Sequence, residues 1–120
     1  MYDHLGLKVR DLAASVAFYQ AVLEPLGYAL CSQDAGGAGL GPEGAPALWL
    51  YAGRSGENPG THVAFKAASR AAVEAFHRAG LAAGGRENGK PGLRADYSPT
   101  YYACFLLDPD GNNVEAVWMG

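Results

Sequence analysis

The sequence predicts an α+β fold in which the order βαβββ occurs twice. Three observations lead to this prediction: an internal repeat, a helix cap with an apolar stripe in each copy, and short apolar runs between glycine- and proline-rich turns after each helix. The 120 residues suffice for one domain of two such modules. We place the modules at about 1–53 and 61–120, with residues 54–60 as the linker.

The repeat relates residues 4–27 to residues 62–85, which are identical at nine of 24 aligned positions. Alanine accounts for four of the nine identities, and these carry little weight. The informative pairs are His4 with His62, Phe18 with Phe76 and Gly27 with Gly85. A repeat of this length indicates two copies of one supersecondary unit.

The first copy opens with an extended apolar run at residues 4–9, and Asp11 then caps a helix. Gly27 marks the exit from that helix. Strands are predicted at 28–32 and 47–51. The glycine- and proline-rich stretch 35–44 between them leaves room for a third short strand.

The second copy opens with a strand at 62–67, and Ser69 caps its helix. Val73, Phe76 and Leu81 form the apolar stripe of this helix, and we expect His77 on its surface. Strands follow at 101–107 and 113–119, joined by the turn DPDGN. Residues 86–100 show no apolar period, and we expect them to form a long loop.

Composition excludes several classes of function. The chain has 9 basic and 12 acidic residues and no cluster of basic residues, which argues against a nucleic-acid partner. No apolar stretch approaches the roughly 20 residues of a membrane span. The first residues lack the layout of a signal peptide, so we expect a cytoplasmic protein without a membrane partner.

Two histidines and one glutamate form the candidate metal site. His4 and His62 occupy equivalent positions in the two copies, and imidazole is a common ligand of transition metals. Glu115 is the one carboxylate of an otherwise apolar strand, and it needs a partner if it faces the core. The residues alone equally allow structural histidines and a glutamate on the solvent face.

Three motifs resemble a known superfamily. They are HLGLKVRDL at 4–12 followed by Ser15 and Phe18-Tyr19, THVAF at 61–65, and LDPDGNNVE at 107–115. In order and spacing they resemble the signatures of the glyoxalase, bleomycin-resistance and extradiol-dioxygenase proteins, the vicinal oxygen chelate superfamily. The resemblance implies that the two βαβββ modules form a curved mixed sheet, or cup, around one divalent metal bound by His4, His62 and Glu115.

The ligand count separates the branches of this superfamily. Proteins similar to glyoxalase I use two histidines and two glutamates, but the position equivalent to Glu115 in the first copy is Trp49. Three ligands remain, and such a site accepts Fe, Mn, Ni, Co or Zn. The resemblance implies a substrate with two adjacent oxygens. The reaction stays open between ring cleavage, isomerisation or lyase chemistry, and addition to an electrophile.

Other residues of the cup are assigned from strand parity and from the resemblance. The resemblance places a functional tyrosine ten residues before the glutamate, where this chain has Phe105. Tyr101 shares the strand parity of Phe105 and is a candidate catalytic residue, with aromatic packing as the alternative. Trp49 and Phe105 are candidate substrate-binding walls. Arg94 is a candidate contact to an anionic substrate, or else part of a solvated loop.

The sequence leaves competing functions open. One is a metal-dependent enzyme, another is a metal-free protein that binds an antibiotic, as in the bleomycin-resistance branch, and a third is a scaffold without a small-molecule role. Many small relatives in the superfamily that this chain resembles form homodimers in which the cup is completed across two chains. We therefore predict a homodimer in which His4 comes from one subunit and His62 and Glu115 from the other.

Overall fold

A computed structural model of the protein describes residues 1–53 and 61–120. The predicted linker at 54–60 lies outside the described residues. Among the helices of the described parts, none is long and apolar enough to cross a membrane.

The chain forms two modules with the same order of elements. The first contains strand β1 (Leu5–Val9), helix α1 (Leu12–Leu23), a short 3-10 helix (Glu24–Leu26), and strands β2 (Ala29–Gln33), β3 (Gly37–Gly41) and β4 (Leu48–Ala52). The second contains β5 (His62–Lys66), α2 (Arg70–Ala82), β6 (Arg86–Leu93), β7 (Tyr102–Leu107) and β8 (Asn113–Trp118). The predicted α+β class and the double βαβββ order are confirmed.

The two modules also share one sheet topology. The strand orders are β1-β4-β3-β2 in the first sheet and β5-β8-β7-β6 in the second. The first strand of each module pairs in parallel with the last, and the other pairs are antiparallel. Each helix packs on one face of its own sheet. We call the opposite face of each sheet its open face.

Two strands lie where the sequence shows little strand signal. β3 falls inside the glycine-rich stretch 35–44, where a short strand was allowed for. β6 occupies residues that we expected to form a loop, so the loop prediction for 86–100 is wrong over 86–93. β6 is an edge strand with two register shifts against β7. An edge position tolerates a proline and two glycines, because the outer row of backbone groups needs no partner strand.

Both helices begin where the sequence predicts. The Asp11 carboxylate accepts a hydrogen bond from the Ala14 backbone N–H at 3.1 Å. The Ser69 hydroxyl does the same for the Ala72 N–H, also at 3.1 Å. These caps satisfy N–H groups that have no partner inside the first turn of each helix.

One core joins the two modules where α1 meets α2. Gly80 permits the close approach, because a Cβ there would lie 2.2 Å from Leu106 Cδ1 and 3.0 Å from Val22 Cγ1. Val22 and Gly80 are equivalent positions of the repeat, so the helices meet about the axis that relates the modules. Leu81, predicted to face the core, is 42% exposed, and Gly80 takes the inner position.

The DPDGN turn ties the second module to the first. Asp108 is 1% exposed, and its carboxylate accepts the Tyr19 hydroxyl of α1 at 2.5 Å. It also accepts the Asn112 side-chain amide and the backbone N–H groups of Asp110 and Asn112. Asp110 in turn accepts the Arg10 backbone N–H at 3.0 Å. The turn therefore binds the start of α1 as well as joining β7 to β8.

His77 is buried, and its prediction as a surface residue is wrong. Its side chain is 11% exposed, and Nε2 lies 2.7 Å from Glu87 Oε2 on β6. Burial favours the neutral form of Glu87, but the hydrogen bonds from the Gly89 N–H and from His77 outweigh it. The net result is a Glu87 pKa below its usual value. The side of α2 that looked exposed is therefore covered by the strand that the sequence did not predict.

Replacing Tyr19 with Phe should lower the free energy of unfolding by about 1–3 kcal/mol, because the buried Asp108 carboxylate loses one donor without gaining access to water. Chemical denaturation at neutral pH measures the change. Tyr51→Phe is the matched control, because Tyr51 is 42% exposed and its hydroxyl makes no hydrogen bond within the described residues. A loss of unfolding free energy for Tyr19→Phe no larger than that of the control would show that the hydrogen bond between Tyr19 and Asp108 does not stabilise the contact between the modules.

Candidate metal and substrate site

The candidate site lies on the open face of the second sheet. Strand alternation points Val114 and Ala116 of β8 towards α2 and Glu115 away from it. Pairing then places a row of residues across this face from β5 to β6. The row consists of Ala64, Glu115, Phe105 and Gly89. Glu115 therefore lies near the middle of the sheet.

Glu115 is a buried carboxylate with two polar partners. It is 2% exposed, and its Oε1 lies 2.9 Å from His62 Nε2, whose side chain is 49% exposed. Its other oxygen, Oε2, accepts the hydroxyl of Tyr101. A buried carboxylate needs such donors. The half-exposed imidazole leaves the pair open to the solvent side of the sheet.

The environment of Tyr101 keeps its hydroxyl protonated. Burial, followed by the hydrogen bond to Glu115 and the charge of that carboxylate, raises the pKa of Tyr101 to about 12. The Tyr97 ring contacts the Tyr101 ring edge-on, with centroids 5.0 Å apart. Tyr101 is therefore a hydrogen-bond donor at neutral pH, and it fixes the orientation of Glu115.

Phe105 and Arg94 extend the site along the same face. The Phe105 ring centroid lies 6.2 Å from that of His62, and the Arg94 guanidinium carbon lies 5.4 Å from the Phe105 centroid. Five of the residues selected from the sequence thus form one connected group on the second sheet. They are His62, Tyr101, Glu115, Phe105 and Arg94.

The two remaining selected residues belong to the first module. His4 directly precedes β1; its side chain is 55% exposed, and its Nδ1 lies 2.7 Å from Asp3 Oδ1. His4 also lines a cavity of about 280 Å³ together with Ala64 of β5. Within residues 1–53 and 61–120 of one chain, no three His, Cys, Asp or Glu side chains assemble into a group that could hold a metal. A single chain thus brings together His62 and Glu115, but not His4.

Trp49 lies on the open face of the first sheet, because Leu48 and Leu50 on either side of it are buried under α1. Its ring rests on Gly39 of β3, where a Cβ would come within 2.8 Å of the indole. Tyr51 lies in the same way against Gly6 and Gly37. The glycines of β3 therefore allow two aromatic rings to lie against this sheet.

The sequence did not single out Gly89 and Gly92, which lie beside the Arg94 guanidinium. An added Cβ at either glycine would be 3.3 Å from a guanidinium nitrogen. The signal that could have identified them is the pair of glycines in ENGKPGL, a segment that we interpreted as a loop. Once 86–93 is known to be a strand, its glycines mark places where another group lies against the backbone.

The chain belongs to the Glyoxalase/Bleomycin resistance protein/Dioxygenase superfamily, whose family model matches residues 2–116. The match covers nearly the whole chain and includes all three motifs on which the resemblance was based. It therefore confirms the predicted superfamily.

Solved structures with the same fold agree with this assignment. A glyoxalase/bleomycin resistance protein from Albidiferax ferrireducens shares 29% sequence identity with the chain, with a TM-score of 0.83 and 97% of each chain covered. A glyoxalase/bleomycin resistance protein/dioxygenase family enzyme from Burkholderia phytofirmans is 21% identical, with a TM-score of 0.76 and 98% of each chain covered. These likenesses confirm the glyoxalase-like fold with curved mixed sheets. No curated protein matched the chain.

Replacing Glu115 with Gln should lower the pKa of Tyr101 part of the way from about 12 towards its usual value near 10. The charge of the carboxylate is removed, whereas burial, the largest cause, remains. Tyrosinate absorbance at about pH 10.5, taken as the difference between each protein and its Tyr101→Phe counterpart, measures this shift. Equal ionisation of Tyr101 with and without the Glu115 carboxylate would show that the two groups do not interact.

Proposed function

We propose that the protein is a metal-dependent enzyme acting on a small molecule with two adjacent oxygens. His62 and Glu115 would hold the metal together with His4. The observation that carries the proposal is the Glu115 side chain, which is 2% exposed. Its Oε1 lies 2.9 Å from Nε2 of His62, whose side chain is 49% exposed. Superfamily membership supports the same assignment, because divalent metals are usual in this family.

The donor set fits a divalent transition metal. Imidazole nitrogen and carboxylate oxygen together suit Fe, Mn, Ni, Co and Zn, and a site with three protein ligands keeps positions for substrate oxygens. The other polar partner of Glu115, Tyr101, is a neutral hydroxyl, so a metal ion would balance the buried negative charge. A buried carboxylate beside an exposed imidazole is also open to approach from one side.

The bound metal would act as a Lewis acid or as an activator of oxygen. The chain itself supplies the surroundings of that chemistry. Tyr101 donates a hydrogen bond to Glu115 Oε2, which fixes the carboxylate and leaves Oε1 directed towards His62. Phe105 forms an apolar floor beside His62. Ring cleavage, isomerisation or lyase chemistry, and addition all remain compatible with this arrangement.

We further propose that the site is completed between two subunits. His4 does not join His62 and Glu115 among the described residues of one chain, so a second copy is the natural source of the third ligand. A twofold dimer would form two equivalent sites, each with one module from either chain. Trp49 of the first module would then face Phe105 across the cup.

Metal-free binding of a planar ligand is the alternative function. The ring of Trp49 on the first sheet and that of Phe105 on the second favour such a ligand, because both lie on open faces. Sequestration alone would not require a buried carboxylate beside a histidine. The metal-binding experiment separates the two functions.

Protein purified without chelator or affinity tag should carry about one transition metal ion per chain, measured by elemental analysis. Tyr101→Phe removes a hydrogen-bond partner of a metal ligand and should weaken metal affinity by roughly 10- to 100-fold. His62→Ala removes a ligand itself and should weaken it by more than that. His77→Gln is the matched control, because His77 lies on α2 and pairs with Glu87. Absence of metal after reconstitution with each candidate ion, with tight binding of planar ligands, would favour the alternative.

Mixing subunits should test the shared site. His4→Ala and His62→Ala proteins should each fail to bind metal, whereas unfolding and refolding them together should restore about one site in four, because half of the dimers are mixed and each mixed dimer has one intact site. Metal content of the mixture measures the recovery. Failure to recover any sites in a mixture that forms dimers would place all three ligands in one chain.

A further inference from the structure

Arg94 is held in a fixed position on the open face of the second sheet. Its Nη1 donates to the Gly92 carbonyl at 2.8 Å, and its Nη2 donates to the Lys90 carbonyl at 2.7 Å. Both acceptors belong to β6, so the side chain folds back along the strand that precedes it. A long flexible side chain on a solvated loop would not be restrained in this way.

The strand beneath Arg94 is shaped to receive a guanidinium. At Gly89 an added Cβ would lie 2.8 Å from Phe105 Cδ1 and 3.3 Å from Arg94 Nη2, and at Gly92 it would lie 3.3 Å from Nη1, so the two glycines leave room for both the ring and the guanidinium. The guanidinium carbon also lies 5.4 Å from the centroid of Phe105, within the range of a cation–π contact. Two glycines, two carbonyls and one ring therefore form a cradle around the charge.

The charge in this cradle has no acidic partner. Among the described residues, no carboxylate forms an ion pair with Arg94, and the two carbonyls use two of its five N–H donors. A partly buried cation of this kind attracts an anion more strongly than an exposed one, because water screens it less. The remaining three N–H donors have no hydrogen-bond partner among the described residues, so they are available to a ligand.

We propose that Arg94 binds a carboxylate of the substrate, so that the enzyme acts on small organic acids that also carry two adjacent oxygens. A planar guanidinium matches the two oxygens of a carboxylate. Glu115, Phe105 and Gly89 are neighbours on successive strands, which puts the metal end and the cradle about 10 Å apart at the backbone. The body of the substrate would lie over Phe105. The metal end of this assignment rests on the proposed function.

The experiment compares acids with their esters. The probes are catechols that carry a carboxylate on a side chain of no, one or two methylene groups, each paired with its methyl ester. Zn²⁺-loaded protein is used because zinc has no redox chemistry, and calorimetry measures binding. The variants are Arg94→Gln, Arg94→Met, Arg94→Lys and, as a charge-matched control at the other end of β6, Arg86→Gln.

We expect the unmodified protein to bind the best acid at least about tenfold more tightly than its methyl ester, because the acid forms a charge-assisted pair of hydrogen bonds. Arg94→Gln and Arg94→Met should abolish this preference, Arg94→Lys should retain part of it, and Arg86→Gln should retain it fully. Equal binding of acid and ester by the unmodified protein would overturn the proposal. So would a preference that persists in both neutral Arg94 variants, each verified as folded by circular dichroism.

Failure of the metal site can be told apart from failure of this inference. If the protein binds no metal, the proposed function fails, and the same titrations on metal-free protein decide the role of Arg94. A preference for acids that depends on Arg94 would still assign the cradle to a carboxylate. Absence of that preference would overturn it, whatever the metal result.

Discussion

The arrangement of the two modules depends on the hydrogen bonds that the Asp108 carboxylate accepts. It accepts four hydrogen bonds, three within its own turn and one from Tyr19 of the other module. Both Tyr19 and Asp108 are buried, so any movement of α1 away from the turn would leave the Tyr19 hydroxyl without its acceptor and without water. The turn leads directly into β8, so the same bonds also fix the strand that carries Glu115. The DPDGN motif is therefore structural, although it lies close to the site.

The sequence predicted most of the fold because the two modules repeat the same local signals. Asp11 and Ser69 cap the helices, and the apolar run before each cap becomes β1 or β5. β6 was missed for a physical reason. Its position at the sheet edge, its bulges and its glycines remove the alternation of side chains by which a strand is recognised. Missing β6 also led to the wrong placement of His77, since that strand supplies its partner Glu87.

The site was predicted less completely than the fold, and the difference again has a physical cause. Strand parity sufficed to group Tyr101 with Phe105, and the repeat identified His62. Contacts between side chains do not follow from parity alone, and neither the bond from Tyr101 to Glu115 nor the cradle of Arg94 could be derived from spacing. Among the described residues of one chain, His4 does not join His62 and Glu115, and equivalence within the repeat gives no measure of that separation.

The aromatic ring of Trp49 lies against Gly39 because that glycine has no side chain to hold the ring away. Pro46 also lies beside this position, with its Cβ 3.0 Å from where a Cβ of residue 39 would be. The smallest replacement at position 39 would therefore push the indole outwards into the space above the sheet. In the enzyme that we propose, one methyl group at position 39 would thus narrow the space above the first sheet and change which substrates fit, without touching a metal ligand. Substrate range would then change independently of the proposed metal chemistry.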